Sequence, residues 1–138
     1  MHIHGSWVVA LFEVLEADGC SRDTLLELMH LRAQDDFAQM RHPVHRLVPL
    51  WQLADARLGE QAGLLVAQHF RPQHWAQLGQ ALLSSRHLGE ILERMTQFSR
   101  LMTDALYFDL SAESPDTLTF RTRFAFPQLL EESRVEAY

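Results

Sequence analysis

Apolar residues in the first part of the chain recur at the three- and four-residue spacing of short amphipathic helices. Ser6 is placed to cap a helix over about residues 7–18, and Gly19 is placed to end it. The inward stripe of this helix holds apolar side chains, those of Val8, Leu11, Phe12 and Leu15. Ser21 is the predicted N-cap of a second helix, which ends near His30. Two such helices in tandem predict a layer of small helices.

The helical pattern weakens in the middle of the chain and then resumes. Residues 31–47 mix charged and amide side chains with few apolar anchors, so they are predicted to form a loop or one weak helical turn. Pro49 suits the first position of a helix that continues until Gly59 interrupts it. Further helices are predicted over residues 60–70 and over residues 73–85.

The clearest helical stripe follows a serine pair at residues 84–85, where the next helix is predicted to start. Its apolar side chains keep the i, i+3, i+4, i+7 spacing at Leu88, Ile91, Leu92, Met95, Phe98 and Met102. A helix with one apolar face buries that face against a core or a partner. This segment is therefore predicted to be a well-formed amphipathic helix.

After Asp104 the spacing changes from helical to alternating, which is typical of a strand. Residues 117–124 place one set of side chains on a single face, those of Leu118, Phe120, Thr122 and Phe124. Residues 107–111 are the predicted partner strand, with residues 114–116 in the turn. Pro127 opens a last helix that is still in phase when the chain stops.

Together these elements predict an α+β fold that is predominantly α, a bundle of short helices with a C-terminal β-hairpin and then a truncated helix. The length of 138 residues is typical of one domain. A two-stranded hairpin is marginal in water by itself, so it must pack on the helices or on something absent from the chain. The sequence looks unfinished for this reason.

Composition and charge exclude several classes of protein. The formal net charge is -6, whereas a domain that neutralises DNA phosphates normally carries a basic face. All twelve positive residues are Arg, so these residues offer no lysine for a Schiff base or a phosphate loop. No apolar run approaches a bilayer span, and a single Cys20 fits a reducing compartment. A cytoplasmic protein without membrane contact is expected.

No set of residues has the spacing of a catalytic or metal site. The histidines form close pairs at 2 and 4, at 42 and 45, and at 69 and 74, but none has zinc-ligand spacing. Cys20 has no neighbouring base, and there is no nucleophile elbow. We therefore expect no metal, no cofactor and no enzyme activity, and a small hydrolase or transferase ranks well below a binding protein.

One stretch, from His69 to Leu106, goes beyond generic periodicity. Its distinctive motifs are Phe70-Arg71-Pro72, Leu78-Gly79, Leu82-Leu83-Ser84-Ser85, Leu88-Gly89-Glu90 and Ser99-Arg100-Leu101. With these motifs the stretch resembles the N-terminal effector domain of AraC-type bacterial transcription regulators, in the branch called arabinose-binding-like. Weaker similarity extends through residues 15–26 and 48–55 and covers most of the chain.

Three departures from the family pattern bear on helix boundaries. His87 stands where the family often has a small hydroxyl residue, and Gln80 replaces a frequent aromatic residue. The region of residues 58–63 is shortened. The order of elements nevertheless agrees.

The resemblance implies a domain that binds a small-molecule effector or mediates dimerisation. In such regulators a C-terminal pair of helix-turn-helix motifs binds promoter DNA, and this part is missing here. We therefore expect residues 1–138 to be a single regulatory domain, a fragment that reaches DNA only through an absent C-terminal domain. A homodimer is the expected assembly.

The family-like stretch also supplies the candidate site. Residues that combine an apolar body with a polar tip are the candidate ligand-binding anchors, namely His69, Arg71, Trp75, Arg100 and Tyr107. They are expected around a cavity between the helices and the hairpin, and arginine would suit a carboxylated or amphipathic effector. The alternative is an effector-independent dimerisation module, whose candidate interface is Met95, Phe98 and Met102. The ordinary explanation of the aromatic side chains is that they are simply core.

Overall fold

The computed structural model describes residues 1–125, and helices dominate it. The α-helices are α1 (Gly5–Ala17), α2 (Arg22–Leu28), α3 (Val48–Leu58), α4 (Ala62–His69), α5 (Ala76–Leu83) and α6 (Leu88–Phe98). The strands are β1 (His2–His4), β2 (Arg41–Pro43), β3 (Leu106–Ser114) and β4 (Thr117–Phe124). Short 3₁₀ turns cover Val44–Leu47, Gly59–Gln61, Pro72–Trp75 and Ser99–Leu101. The predicted α+β fold with a predominance of α is confirmed.

Two of the helices begin and end as the sequence predicts. The Ser21 hydroxyl accepts a hydrogen bond from the Thr24 backbone N–H at 3.2 Å, which makes it the N-cap of α2. Pro49 lies in the first turn of α3, and Gly59 follows the end of that helix with a φ of 73°. Such a positive φ favours glycine, which has no Cβ to clash.

The start of the chain differs from the prediction. Helix α1 begins at Gly5, and its cap is the His4 side chain, which accepts from the Ser6 N–H. The sequence predicts no element for residues 1–4, and a loop or weak helical turn for residues 31–47. Instead β1 and β2 pair antiparallel, with Ile3 opposite His42. These strands are three residues long, too short for an alternation of apolar and polar residues to predict them.

Three later helix boundaries also differ from the prediction. Helix α4 begins at Ala62, after the Gly59–Gln61 3₁₀ turn, and the predicted helix over residues 73–85 is divided into a 3₁₀ turn and α5. The N-cap of α6 is His87, whose ring nitrogen accepts from the Glu90 N–H, so the serine pair lies outside this helix. Met102 lies beyond the end of α6 and is therefore not on its stripe.

The hydrophobic core lies among α1, α2, α3, α4 and the segments that join them. Its buried members are Val8, Ala10, Leu11, Phe12, Leu15, Leu25, Leu26, Met29, Leu31, Phe37, Leu47, Leu50, Ala54, Ala62 and Val66. Gly5 permits one close approach in it, because a Cβ there would overlap the Phe37 carbonyl oxygen. Within residues 1–125, no helix is long and apolar enough to cross a membrane.

The C-terminal hairpin is confirmed and packs beside α6. Its strands pair from Leu106 opposite Phe124 to Ser114 opposite Thr117, and the rings of Phe108 and Phe120 stack at 5.2 Å. The predicted apolar face is only partly covered, since Leu118 is 52% exposed. The helix predicted after Pro127 lies outside the described residues.

Candidate functional site

The five predicted anchors fall into two groups. His69, Arg71 and Trp75 lie together where α4 connects to α5. Arg100 and Tyr107 form a separate pair at the base of the hairpin, with the guanidinium carbon 4.7 Å from the centre of the tyrosine ring. The groove described next takes in two of the five.

A groove between α1 and α4 contains His69 and Arg71. It has a volume of about 300 Å³, opens widely to solvent and is lined by Val14, Ala17, Leu65, Gln68, His69 and Arg71. We call it the α1–α4 groove. Its lining combines apolar side chains from both helices with polar groups near the end of α4, which is a common composition for a ligand-binding surface.

Glu13 joins the two helices beside this groove. One carboxylate oxygen, Oε2, lies 2.7 Å from Nε2 of His69 and 3.0 Å from Nε2 of His74. Sequence reasoning missed Glu13 and did not select His74. The partners lie more than fifty positions apart in the chain, so no local pattern reports the contact.

The hydrogen bonds of His74 determine which of its ring nitrogens carries a proton. The backbone N–H of Arg71 donates to Nδ1 at 2.9 Å, so Nδ1 is an acceptor. Nε2 therefore carries the proton that it donates to Glu13. The side chain is 2% exposed, so a neutral imidazole with both nitrogens in use is buried here. Such a ring has no free lone pair for a metal or for general-base catalysis.

The histidine pair carries no sign of a metal centre. No group of three or more histidine, cysteine, aspartate or glutamate side chains within residues 1–125 is arranged to hold a metal ion. Glu13 and the two histidines are instead joined by hydrogen bonds between nitrogens and a carboxylate.

Trp75 belongs to an aromatic cluster rather than to the groove lining. Its ring lies 5.1 Å from that of Trp7 and 6.0 Å from that of Phe70, and both contacts are edge to face. Phe70 also meets the edge of His74 at 5.5 Å. Such pairs contribute about 0.5–1.5 kcal/mol beyond burial. The cluster fixes the α4–α5 connection that holds His69 and Arg71.

Arg71 is anchored by its own backbone neighbours and remains exposed. Its Nη1 donates to the carbonyl oxygens of Gln68 and Phe70, both at 2.9 Å. Its Nε and Nη2 have no hydrogen-bond partner in the described part of the chain. These remaining donors are available for an external acceptor.

A second hollow lies between α6 and the hairpin, where the sequence predicted a cavity. It has a volume of about 420 Å³ and is lined by Glu93, Thr96, Gln97, Leu110, Ala112 and Leu118. None of the five predicted anchors lines this hollow. Its polar lining comes from α6 and its apolar lining from the hairpin, and it too is open to solvent.

The three predicted interface residues are not on one accessible face. Met95 and Phe98 are half-buried on α6. Met102 is 1% exposed, and its backbone carbonyl accepts from the His4 N–H. It is therefore a buried residue beneath β1, and only the first two remain candidates for a helix interface.

Comparison with known families gives a match over most of the chain. Residues 19–137 match the family model for the N-terminal arabinose-binding domain of AraC transcription regulators. The span takes in α2 to β4 and all five predicted anchors, whereas Glu13 and Val14 of α1 precede it. A search among curated proteins found no match.

Proposed function

We propose that this chain, which belongs to the family of N-terminal arabinose-binding domains of AraC transcription regulators, binds its effector in the α1–α4 groove. Membership makes the chain a ligand-binding regulatory domain. The observation that carries the choice of site is the lining of the groove. Exposed donors of Arg71 and the ring of His69 meet there with the apolar side chains of Val14 and Leu65.

The lining favours a small carboxylate with an apolar portion. The free Nε and Nη2 of Arg71 present a fork that matches two carboxylate oxygens. Glu13 would repel such a ligand, and the hydrogen bond that its Oε2 accepts from the neutral ring of His74 weakens this repulsion but leaves the charge in place. The apolar portion would lie over Val14 and Leu65. The family name suggests a sugar as the ligand. A neutral sugar would bind the same polar end of the groove more weakly, because it carries no charge.

A ligand in this groove contacts both α1 and α4, and this suggests how occupancy is transmitted. It would favour an arrangement in which the two helices are closely packed over one in which they separate, and a ligand shifts an equilibrium only by such a difference in affinity. The Glu13 contact with His69 and His74 already joins them. A DNA-binding domain outside this chain would respond to that arrangement. Binding, and not catalysis, is the proposed activity.

A thermal-shift screen tests the groove. Small carboxylates, fatty acids and arabinose would be added to the purified chain, because a ligand that binds only the folded state raises its melting temperature. A carboxylate at a hundred times its Kd stabilises by about 2.7 kcal/mol, a shift of several degrees. Arg71→Ala should reduce the shift strongly.

Arg32→Ala is the matched control, since Arg32 is exposed and, within residues 1–125, meets a carboxylate, that of Asp35, only through its backbone N–H. Its shift should equal that of the unmodified chain. A carboxylate that shifts Arg71→Ala and the unmodified chain equally would place the site elsewhere. If no compound raises the melting temperature of the well-folded protein, effector binding in this groove is contradicted.

One observation favours a second candidate function, an effector-independent dimerisation module. Helix α6 has no fully buried residue in the described structure although its stripe is strongly apolar. Leu88 on this helix is 68% exposed, and beside the helix Leu83 is 63% and Leu118 is 52% exposed. Sedimentation equilibrium should then show a concentration-dependent dimer that Leu88→Glu abolishes. A monomer at high concentration would contradict this alternative.

A further inference from the structure

Two arginines far apart in the sequence meet where the β1–β2 pair joins the base of the hairpin. The Nη1 of Arg41 donates to the carbonyl oxygens of Arg100 and Leu101, both at 3.2 Å. The junction beneath them is buried and hydrogen-bonded. Thr103 is 1% exposed, its hydroxyl donates to the His2 carbonyl oxygen, and it bridges to Ile3.

Neither guanidinium group forms an ion pair with a carboxylate in residues 1–125, although the charge of Arg41 helps to lower the pKa of Asp104. Arg41 is held by the two backbone carbonyl oxygens, and its Nε and Nη2 have no hydrogen-bond partner in residues 1–125. Arg100 is held over the face of Tyr107, at 4.7 Å from the ring centre. A cation over a tyrosine ring is attracted by the ring quadrupole, and the stacked group keeps its edge N–H donors free.

In residues 1–125 the arginines that form no ion pair are Arg32, Arg41, Arg46, Arg71 and Arg100. Six other arginines in residues 1–125 form ion pairs with carboxylates, namely Arg22, Arg57, Arg86, Arg94, Arg121 and Arg123. The chain has more acidic than basic residues, so partners are plentiful. Asp104, the acidic neighbour, accepts instead from the His2 backbone N–H, and this bond lowers the pKa of its carboxyl group most.

We infer that Arg41 and Arg100, with Tyr107 as a platform, form a binding site for a compact oxyanion, the phosphate or carboxylate group of a small ligand. Guanidinium groups bind such oxygens through paired, charge-assisted hydrogen bonds. Two groups already held by the protein lose less conformational entropy on binding than free side chains do. The site is independent of the α1–α4 groove and would serve a second, anionic ligand.

An NMR titration of the isotopically labelled chain with inorganic phosphate tests the inference, at constant ionic strength. We expect saturable shifts of the Arg41 and Arg100 side-chain N–H signals and of the backbone amides at residues 100–103. Arg100→Ala should raise the dissociation constant roughly fivefold or more, since a charge-assisted hydrogen bond of ordinary strength is lost. Acetate in a parallel titration distinguishes a carboxylate site from a phosphate site.

Two matched pairs separate this site from general surface charge. Arg32→Ala removes an exposed arginine elsewhere, and should leave the phosphate titration unchanged. Tyr107→Phe keeps the platform and should bind phosphate as before, whereas Tyr107→Leu removes the ring and should weaken binding severalfold. Circular dichroism establishes that each variant is folded.

Three outcomes are decisive. Saturable shifts that disappear in Arg100→Ala but persist in Arg32→Ala would support the site. Linear shifts of every exposed arginine, equal in both variants, would overturn it. Loss of the phosphate response in Arg71→Ala would place the anion in the α1–α4 groove and would also overturn it, whereas the proposed function is tested separately by the effector screen.

Discussion

The first and second parts of the described chain use apolar residues in opposite ways. From Val8 to Val66, fifteen hydrophobic residues are buried in one continuous core. From residue 71 to residue 125, only Leu78 and Met102 are buried hydrophobic residues. Helix α6 has the clearest amphipathic stripe in the sequence, yet none of its residues is fully buried. An amphipathic pattern therefore indicates which face a helix can bury, and the neighbouring elements decide whether that face is buried.

The largest expected effect follows from comparing two leucines in helices of the two parts. Leu15 in α1 is 0% exposed, whereas Leu88 in α6 is 68% exposed. Leu15→Ala should lower the free energy of unfolding by about 2–5 kcal/mol, because it leaves a cavity. Leu88→Ala should change it by less than about 0.5 kcal/mol. Urea unfolding of both variants measures the difference, and equal losses would show that α6 is covered in solution.

Two helix glycines differ in how closely their neighbours pack against them. A Cβ on Gly79 in α5 would overlap the carbonyl oxygen of Pro72, whereas one on Gly63 in α4 meets open space. Gly79→Ala should cost about 1–3 kcal/mol through this overlap. Gly63→Ala should stabilise by about 0.5–1 kcal/mol, because alanine is the better helix former. If both substitutions shift the unfolding midpoint in the same direction, the close approach of Gly79 to Pro72 is refuted.

A smaller effect is expected at the junction of the two parts. Ala76 follows the aromatic cluster with a φ of 48° and a ψ of -131°, a region that strains a residue with a Cβ. Ala76→Gly should therefore stabilise the fold by about 1 kcal/mol. Ala81→Gly, in the interior of α5, should destabilise it by about 1 kcal/mol. Melting temperatures of the two variants should lie on opposite sides of that of the unmodified chain.

The smallest effect is a difference in pH dependence between His4 in the first part and Glu90 in the second. Burial lowers the pKa of His4, with Arg41 and His42 adding to the effect. Its neutral form is thus favoured by folding, and this contribution is present above about pH 6.5 and is lost as the pH falls towards the lower folded-state pKa. His4→Gln should flatten the stability profile mainly below about pH 6.5.

Glu90 supplies the matched measurement at lower pH. The backbone N–H of Arg86 donates to its carboxylate and lowers the pKa, so its contribution is present above about pH 4.3 and is lost below that. Glu90→Gln should flatten only this acidic part of the profile. Urea midpoints measured from pH 3 to 8 would contradict the comparison if both variants changed the same window.

The candidate site was predictable only in part. His69 and Arg71 could be selected from the family-like motif, and they line the α1–α4 groove. Glu13 could not, because it lies on α1, outside the matched span, and meets the histidines only after α1 and α4 pack. Whether these residues bind an effector stays a prediction.

The sequence by itself determined the class of fold and the family. Helical spacing, the Ser21 cap, the Pro49 start and the alternation of residues 117–124 are local signals, and each is confirmed because it acts within a few residues of chain. Tertiary structure alone decided the rest. The β1–β2 pair, the burial of Met102, the Glu13 contacts and the meeting of Arg41 with Arg100 all depend on residues distant in sequence, whose contacts arise only when the packed helices bring them together.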